Sequence, residues 1–233
     1  IITAVLYGFA VNFVRDMIYD QTYRNISVAH EKIDLLLQDY DGIIETLHRD
    51  EIILDVLSGE ISMEDSSNRV YEQIYSALEG VIDKPPLYIL GREKEVKFHT
   101  YPLPNTHEIA MKYNWGVFRE ASKALGKTVI YPQKIKYSMG QSTVLTIGRS
   151  IYDTEGNCIG YIAIDLFREK LADIFQSSIS SLPMEILVLD RYSYTILDLR
   201  DKKMEGHFQN AIYLDGDEEQ QAEKSLFNFK IPN

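Results

Sequence analysis

The stretch Thr143–Phe175, TVLTIGRSIYDTEGNCIGYIAIDLFREKLADIF, constrains the fold more than any other part of this 233-residue chain. Two β-rich apolar runs, Val144–Tyr152 and Cys158–Leu166, flank the cluster Asp153-Thr154-Glu155-Gly156-Asn157, which supplies turn chemistry. The spacing predicts a hairpin with a longer loop, followed by a helix over FREKLADIF. Side chains alternate along a strand, so Ile162, Ile164 and Leu166 share one face while Tyr161, Ala163 and Asp165 share the other. In the first run Thr146, Gly148 and Ser150 alternate with Leu145, Ile147 and Ile151. A sheet built this way can pack a helix on its apolar face and leave room for a small molecule on the face that carries Asp165.

Upstream, the pattern is helical. Ile26, Ile33, Tyr40, Leu47 and Leu54 recur every seven residues, Ala29, Leu36, Ile43 and Leu57 fill the intervening positions, and Asp50 breaks that second series. One long helix from Asp20 to about Leu57 is expected, with Leu37 and Ile44 widening the stripe so that it can meet a sheet as well as a second helix. Two uses fit the stripe: a seam against another copy of the chain, or burial inside its own domain. Ser58-Gly59-Glu60 ends this helix, and a second one, capped by Ser66 or Ser67, runs to about Glu79 before Gly80. Leu87–Leu90 and Val96–Tyr101 are expected strands. Thr106–Lys112 and Trp115–Leu125 are expected short helices, the latter closed by Gly126; Thr128–Tyr131 is an expected short strand and Pro132–Gln141 a polar loop. This region is rich in aromatics, Tyr101, Tyr113, Trp115, Phe118 and Tyr131, which suit a small organic ligand and also ordinary packing. After Ser177–Ser181 and Pro183, Glu185–Asp190 and Tyr194–Leu199 begin a second sheet.

Composition narrows the function. A net charge of −11 argues against nucleic acid or an anionic membrane surface as partner, and 45% hydrophobic residues are ample for a packed core. The single cysteine, Cys158, excludes an intrachain disulfide and a Cys-rich metal site. His30, His48, His99, His107 and His207 are scattered without an HExxH pattern, and are expected at the surface with no metal or other cofactor. Neither a G-x-S-x-G elbow, a Walker loop nor a G-x-G-x-x-G follows any strand. The acidic run Asp215–Glu219 suits a solvated loop or a helix start. The opening residues IITAVLYGFAVNFV carry no charge before Arg15 but fall short of the roughly 20 residues a membrane span needs. They are expected to be the outer end of a transmembrane helix, residues 1–18, with a buried N-terminal helix as the alternative.

The phrase IGRSIYDTEGNCIGYIAIDL with its following helix resembles the closing hairpin and exit helix of the double Cache family, extracytoplasmic PAS-like sensor domains of bacterial receptors. The resemblance implies an α+β fold: a long N-terminal helix packed on two PAS-like antiparallel-sheet modules, the second incomplete. It divides the chain into a juxtamembrane and dimerisation helix at 19–58, a membrane-distal module at 59–176 and a truncated membrane-proximal module at 177–233. The helix NISVAHEKIDLLLQDYDGIIETL is similar to that of Gram-positive sensor histidine kinases, so the resemblance implies a membrane-anchored homodimer that senses a small molecule outside the cell and has no enzymatic activity of its own. Chemotaxis receptors and diguanylate cyclases share such sensor regions, and a secreted enzyme using Asp165 is the competitor from another class. In amino-acid-binding members an aspartate at the corresponding strand end holds the ligand's ammonium group, with an R-x-W-Y lid motif and a further tyrosine. Asp165 matches the aspartate and Tyr131 the tyrosine, whereas Trp115 and Arg119 occur in N-W-G-V-F-R, in another order and spacing. That departure weakens the case for α-amino acids and leaves a small polar or cationic organic ligand. With Tyr101, Tyr161 and Thr146 these residues form the expected site. Asp165 has a second expected use, as cap of the helix that begins near Phe167.

Overall fold

The computed structural model describes residues 2–102, 116–137, 140–179, 186–190 and 192–208. Helix α1 runs from Ile2 to His48. It does not continue to Leu57. Asp50 takes an extended conformation and its carboxylate accepts the Ile53 N–H at 3.0 Å, so a new helix, α2 (Glu51–Ser58), starts there. The residue that broke the heptad series is therefore an N-cap, which satisfies one of the orphan donors of the new helix. Gly59, at φ 83°, closes α2 in the left-handed conformation that glycine adopts without steric cost. The next helix, α3, spans Met63–Ala77 and is capped by Ser62, whose hydroxyl accepts the Glu64 N–H at 3.2 Å. The expected cap Ser66 lies inside the helix, buried, with its hydroxyl donating to the Ser62 carbonyl at 2.6 Å.

Five antiparallel strands form the main sheet in the order β2-β1-β5-β4-β3: β1 (Leu87–Gly91), β2 (Val96–His99), β3 (Val129–Tyr137), β4 (Gly140–Tyr152) and β5 (Cys158–Phe167). The β4–β5 hairpin falls on the predicted runs. Its turn is held by Asp153, whose carboxylate accepts the backbone N–H groups of Glu155 at 2.9 Å and Asn157 at 2.7 Å. Strand β3 departs from expectation, because the polar segment after Pro132 is strand, paired with β4 from Val129↔Gly148 to Tyr137↔Gly140. Proline is tolerated there because β3 is the edge of the sheet, where a missing N–H costs no ladder bond if it faces outward. Helix α4 (Gly116–Lys123) precedes β3, and α5 (Arg168–Ile179) follows β5 directly. A second antiparallel pair, β6 (Leu187–Leu189) and β7 (Thr195–Asp198), leads to a 3-10 turn at Lys202–Met204.

The two faces of the sheet differ as the alternation requires. Ile147, Ile151, Ile162, Ile164 and Leu166 join Ala29, Ile33, Leu37, Tyr40, Ile44 and Leu47 of α1, Ile53 of α2, Val70 and Ile74 of α3, and Leu171 and Phe175 of α5 in one core. Ile33 and Leu47 are fully buried within the single chain, so this part of the predicted seam is intradomain core. The expected helix at Thr106–Lys112, His107, Tyr113, Trp115 and the run Asp215–Glu219 lie outside the described residues. Among the remaining histidines, His99 and His207 are exposed as expected, but His30 is half-buried beside Asp34 at 3.4 Å, and His48 is half-buried near Arg149 with its pKa lowered, chiefly by burial.

Candidate functional site

On the opposite face, three strands place Tyr131, Thr146 and Asp165 directly across from one another, in the pairs Tyr131↔Thr146 and Thr146↔Asp165. The Thr146 hydroxyl donates to Asp165 Oδ1 at 2.6 Å and accepts from Gln133 Nε2 at 2.6 Å. Thr146 is fully buried and Asp165 is 1% exposed. Removing a carboxylate from water to this degree is expensive unless donors replace the solvent, and Thr146 is one such donor. A carboxylate has about four acceptor positions, so its chemistry allows it to take an ammonium or N–H donor besides the threonine. The backbone N–H of Asp165 donates to the Pro86 carbonyl at 2.9 Å, which fixes the strand end against β1.

Asp165 does not cap α5: that helix begins at Arg168, three residues on, and the aspartate is still within β5. Its side chain is committed to the sheet face by strand alternation. This removes the capping use and leaves the carboxylate where the sequence placed it relative to Ile164 and Leu166.

Small residues let α4 settle on this face. A Cβ on Gly148 would come 2.6 Å from Val117 Cγ2, and one on Gly116 would overlap the Tyr131 ring. Tyr131 is thereby held against the start of α4. Tyr161, two pairs further along, belongs to the packing of that helix: its hydroxyl meets Ser122 Oγ at 2.8 Å and its ring meets Phe118 at 5.1 Å. Burial pushes the Tyr161 phenol up to about 12. Tyr101 is partly exposed and meets Phe167 edge-on at 5.7 Å, at the end of the face nearest Asp165.

The sequence-derived site residues therefore separate. Asp165, Thr146 and Tyr131 form one row; Tyr101 adjoins it through Phe167, the residue two along from Asp165 on the same face. Tyr161 stands beside α4. Arg119 is exposed and paired with Glu120 at 3.4 Å, away from the buried row. Trp115 lies outside the described residues. Gln133 is absent from the expected site because Pro132–Gln141 has the composition of a polar loop; the alternation Tyr131, Gln133, Ile135 is the signal that a strand continues. Among the described residues no group of three His, Cys, Asp or Glu could hold a metal ion, and no helix is long and apolar enough to cross a membrane.

No family model matches the sequence, and no curated protein matches it. Solved structures do match the fold. An extracellular ligand-binding receptor from Desulfohalobium retbaense aligns over 81% of the chain at 15% identity with a TM-score of 0.57; the chain spans 32% of that receptor's length. The ligand-binding domain of the Pseudomonas aeruginosa amino acid chemoreceptor PctC, in complex with GABA, aligns over 83% of the chain and 79% of its own length at 16% identity and TM-score 0.54. The sensor domain of the Vibrio cholerae histidine kinase DctB aligns over 88% and 77% respectively, at 14% identity and TM-score 0.56. The fold is that of the extracellular sensor and ligand-binding domains of histidine kinases and chemoreceptors.

Proposed function

We propose that this chain is the extracytoplasmic small-molecule-sensing region of a bacterial transmembrane sensor histidine kinase of the double Cache type. In this reading the five-stranded sheet is the membrane-distal module, the β6–β7 pair opens the membrane-proximal one, and residues 1–18 are the outer end of a transmembrane helix. The ligand is a small polar or cationic organic molecule taken by Asp165, with Thr146, Gln133 and Tyr131 as neighbours. The observation that carries this reading is the hydrogen-bonded Asp165–Thr146–Gln133 row, with Asp165 and Thr146 buried and Gln133 half-buried, on the sheet face opposite α1. An amine-bearing ligand such as the GABA bound by PctC fits a carboxylate of this kind.

Dimerisation belongs to the same proposal, through a face of α1 other than the buried seam. Val14, Val28 and Leu35 are 47%, 44% and 55% exposed, and with Gln21 they recur every seven residues.

Calorimetric titration with small amines and amino acids, GABA among them, tests the ligand site. Binding by the native chain that is lost in Asp165→Asn, with stability retained, is the expected result, because asparagine keeps the shape and cannot pair with a cation. Equal affinity in the variant removes Asp165 from the site.

A further inference from the structure

Glu205 lies beyond β7, outside the site, yet it is 2% exposed. Its carboxylate accepts from Arg168 Nε at 2.8 and 3.1 Å and from the Asp198 N–H at 3.1 Å, while its main-chain carbonyl accepts from Lys134 Nζ at 3.0 Å. A Cβ on the neighbouring Gly206 would come 2.5 Å from Lys134 Cδ, so the lysine stem lies along this backbone. The Gly206 N–H donates to the Thr195 carbonyl at 2.9 Å, which ties the same point to β7. Buried ion pairs are weak evidence for stability and better evidence for a fixed geometry.

The two cations come from the two ends of the site. Lys134 follows Gln133 on β3, and Arg168 follows Asp165 by three residues, where β5 passes into α5. We propose that Glu205 is the positioning residue through which the Gln133–Thr146–Asp165 row acts on the second sheet. A group that draws Asp165 or Gln133 toward itself displaces β5 or β3, and Arg168 or Lys134 carries that displacement to Glu205 and so to β7. The proposal rests on the reading of Asp165 as the ligand site, and it names how that site reports its state. Coupling of this kind is reciprocal: what the row does to Glu205, Glu205 does to the row.

The test needs no ligand. Amide hydrogen exchange and urea unfolding are measured on the native chain, Thr146→Val, Glu205→Gln and the double variant, with exchange at β1 and β2 as the reference for global opening. No hydrogen bond joins Thr146 to Glu205 among the described residues, so independent sites would act additively. The expected result is at least fivefold faster exchange at residues 195–206 in Thr146→Val, and at residues 131–135 and 163–167 in Glu205→Gln, each beyond the change at β1 and β2. The unfolding constants of the two single variants should also fail to multiply to that of the double variant by at least threefold. An effect in one direction only, effects confined to the mutated half, or constants that multiply overturn the proposal. If Glu205→Gln does not fold, Arg168→Lys, which keeps the charge and loses the Nε–H, carries the same comparison. Absence of any ligand for Asp165 would leave this result unchanged, so the two readings fail separately.

Discussion

Thr146→Val removes one oxygen and keeps the shape, so it isolates the hydroxyl that joins Gln133 to Asp165. Two hydrogen bonds of 2.6 Å are lost together, one of them to a carboxylate. Bonds to charged groups contribute about 1.5–3 kcal/mol and neutral ones about 0.5–1.5; Asp165 would stay buried, whereas the half-buried Gln133 amide can turn toward water. A loss of about 2–4 kcal/mol follows, or about 4–16 °C in Tm for a chain of this length. The same substitution three residues earlier is the control. Thr143 is 2% exposed, and its hydroxyl is buried without a hydrogen-bond partner among the described residues. Thr143→Val should therefore be neutral or stabilising, because it removes an uncompensated polar group. Urea unfolding of both variants gives the comparison. A loss below about 0.5 kcal/mol for Thr146→Val, or equal losses at both positions, would refute the hydrogen-bonded row, since typical mutational noise is of that size.

Three other outcomes are expected. Gly160→Ala should destabilise by about 1–3 kcal/mol in chemical unfolding, because its Cβ would come 2.5 Å from the Leu90 carbonyl, a backbone atom that cannot rotate away. Val28→Glu with Leu35→Glu should leave the fold intact and abolish any dimer seen by analytical ultracentrifugation, whereas Ile33→Glu should unfold the chain, Ile33 being fully buried. Tyr40, Tyr161 and Tyr194 are each pushed up to about 12, burial being the first cause in every case. Their folded pKa lies above the unfolded value near 10, so the stability they contribute is complete below about pH 10 and lost as pH rises toward 12. A stability curve flat across that range, or phenolate absorbance rising for all tyrosines near pH 10 with the fold intact, would contradict their burial.

Much of this architecture is legible from periodicity alone. The β4–β5 hairpin, its turn residues and the assignment of Asp165 to the face opposite Ile162, Ile164 and Leu166 follow from a period of two, and the structure divides the faces the same way. What the sequence hides is set by neighbours that no local pattern names. Pro132 and the polar residues after it resemble a loop because a central strand could not contain them; as the sheet edge, β3 can. Gln133 sits in that segment, so its place on the sheet face does not show in the local pattern. Likewise Ser66 and Ser67 offer cap chemistry equal to that of Ser62, and only the chain path before α3 decides which hydroxyl meets the helix end.

A heptad pattern reports that a stripe is covered and does not say by what. On α1 the covering is the chain's own: Ala29, Ile33, Leu37, Tyr40, Ile44 and Leu47 share a core with β4, β5 and α5. Lys32 Nζ adds a hydrogen bond to Ser178 Oγ of α5 at 3.2 Å. Helix α5 starts three residues after Asp165 and buries Leu171, Phe175 and Ile179 in that same core. The strand that carries the candidate ligand site thus runs without a linker into a helix packed along α1. Packed interiors have little compressibility, so a shift at the β5 end that exceeds side-chain adjustment must be taken up by α5 and α1 together. Val28 and Leu35 stay exposed outside this packing, so the proposed contact with a second copy does not require the helix to leave the sheet.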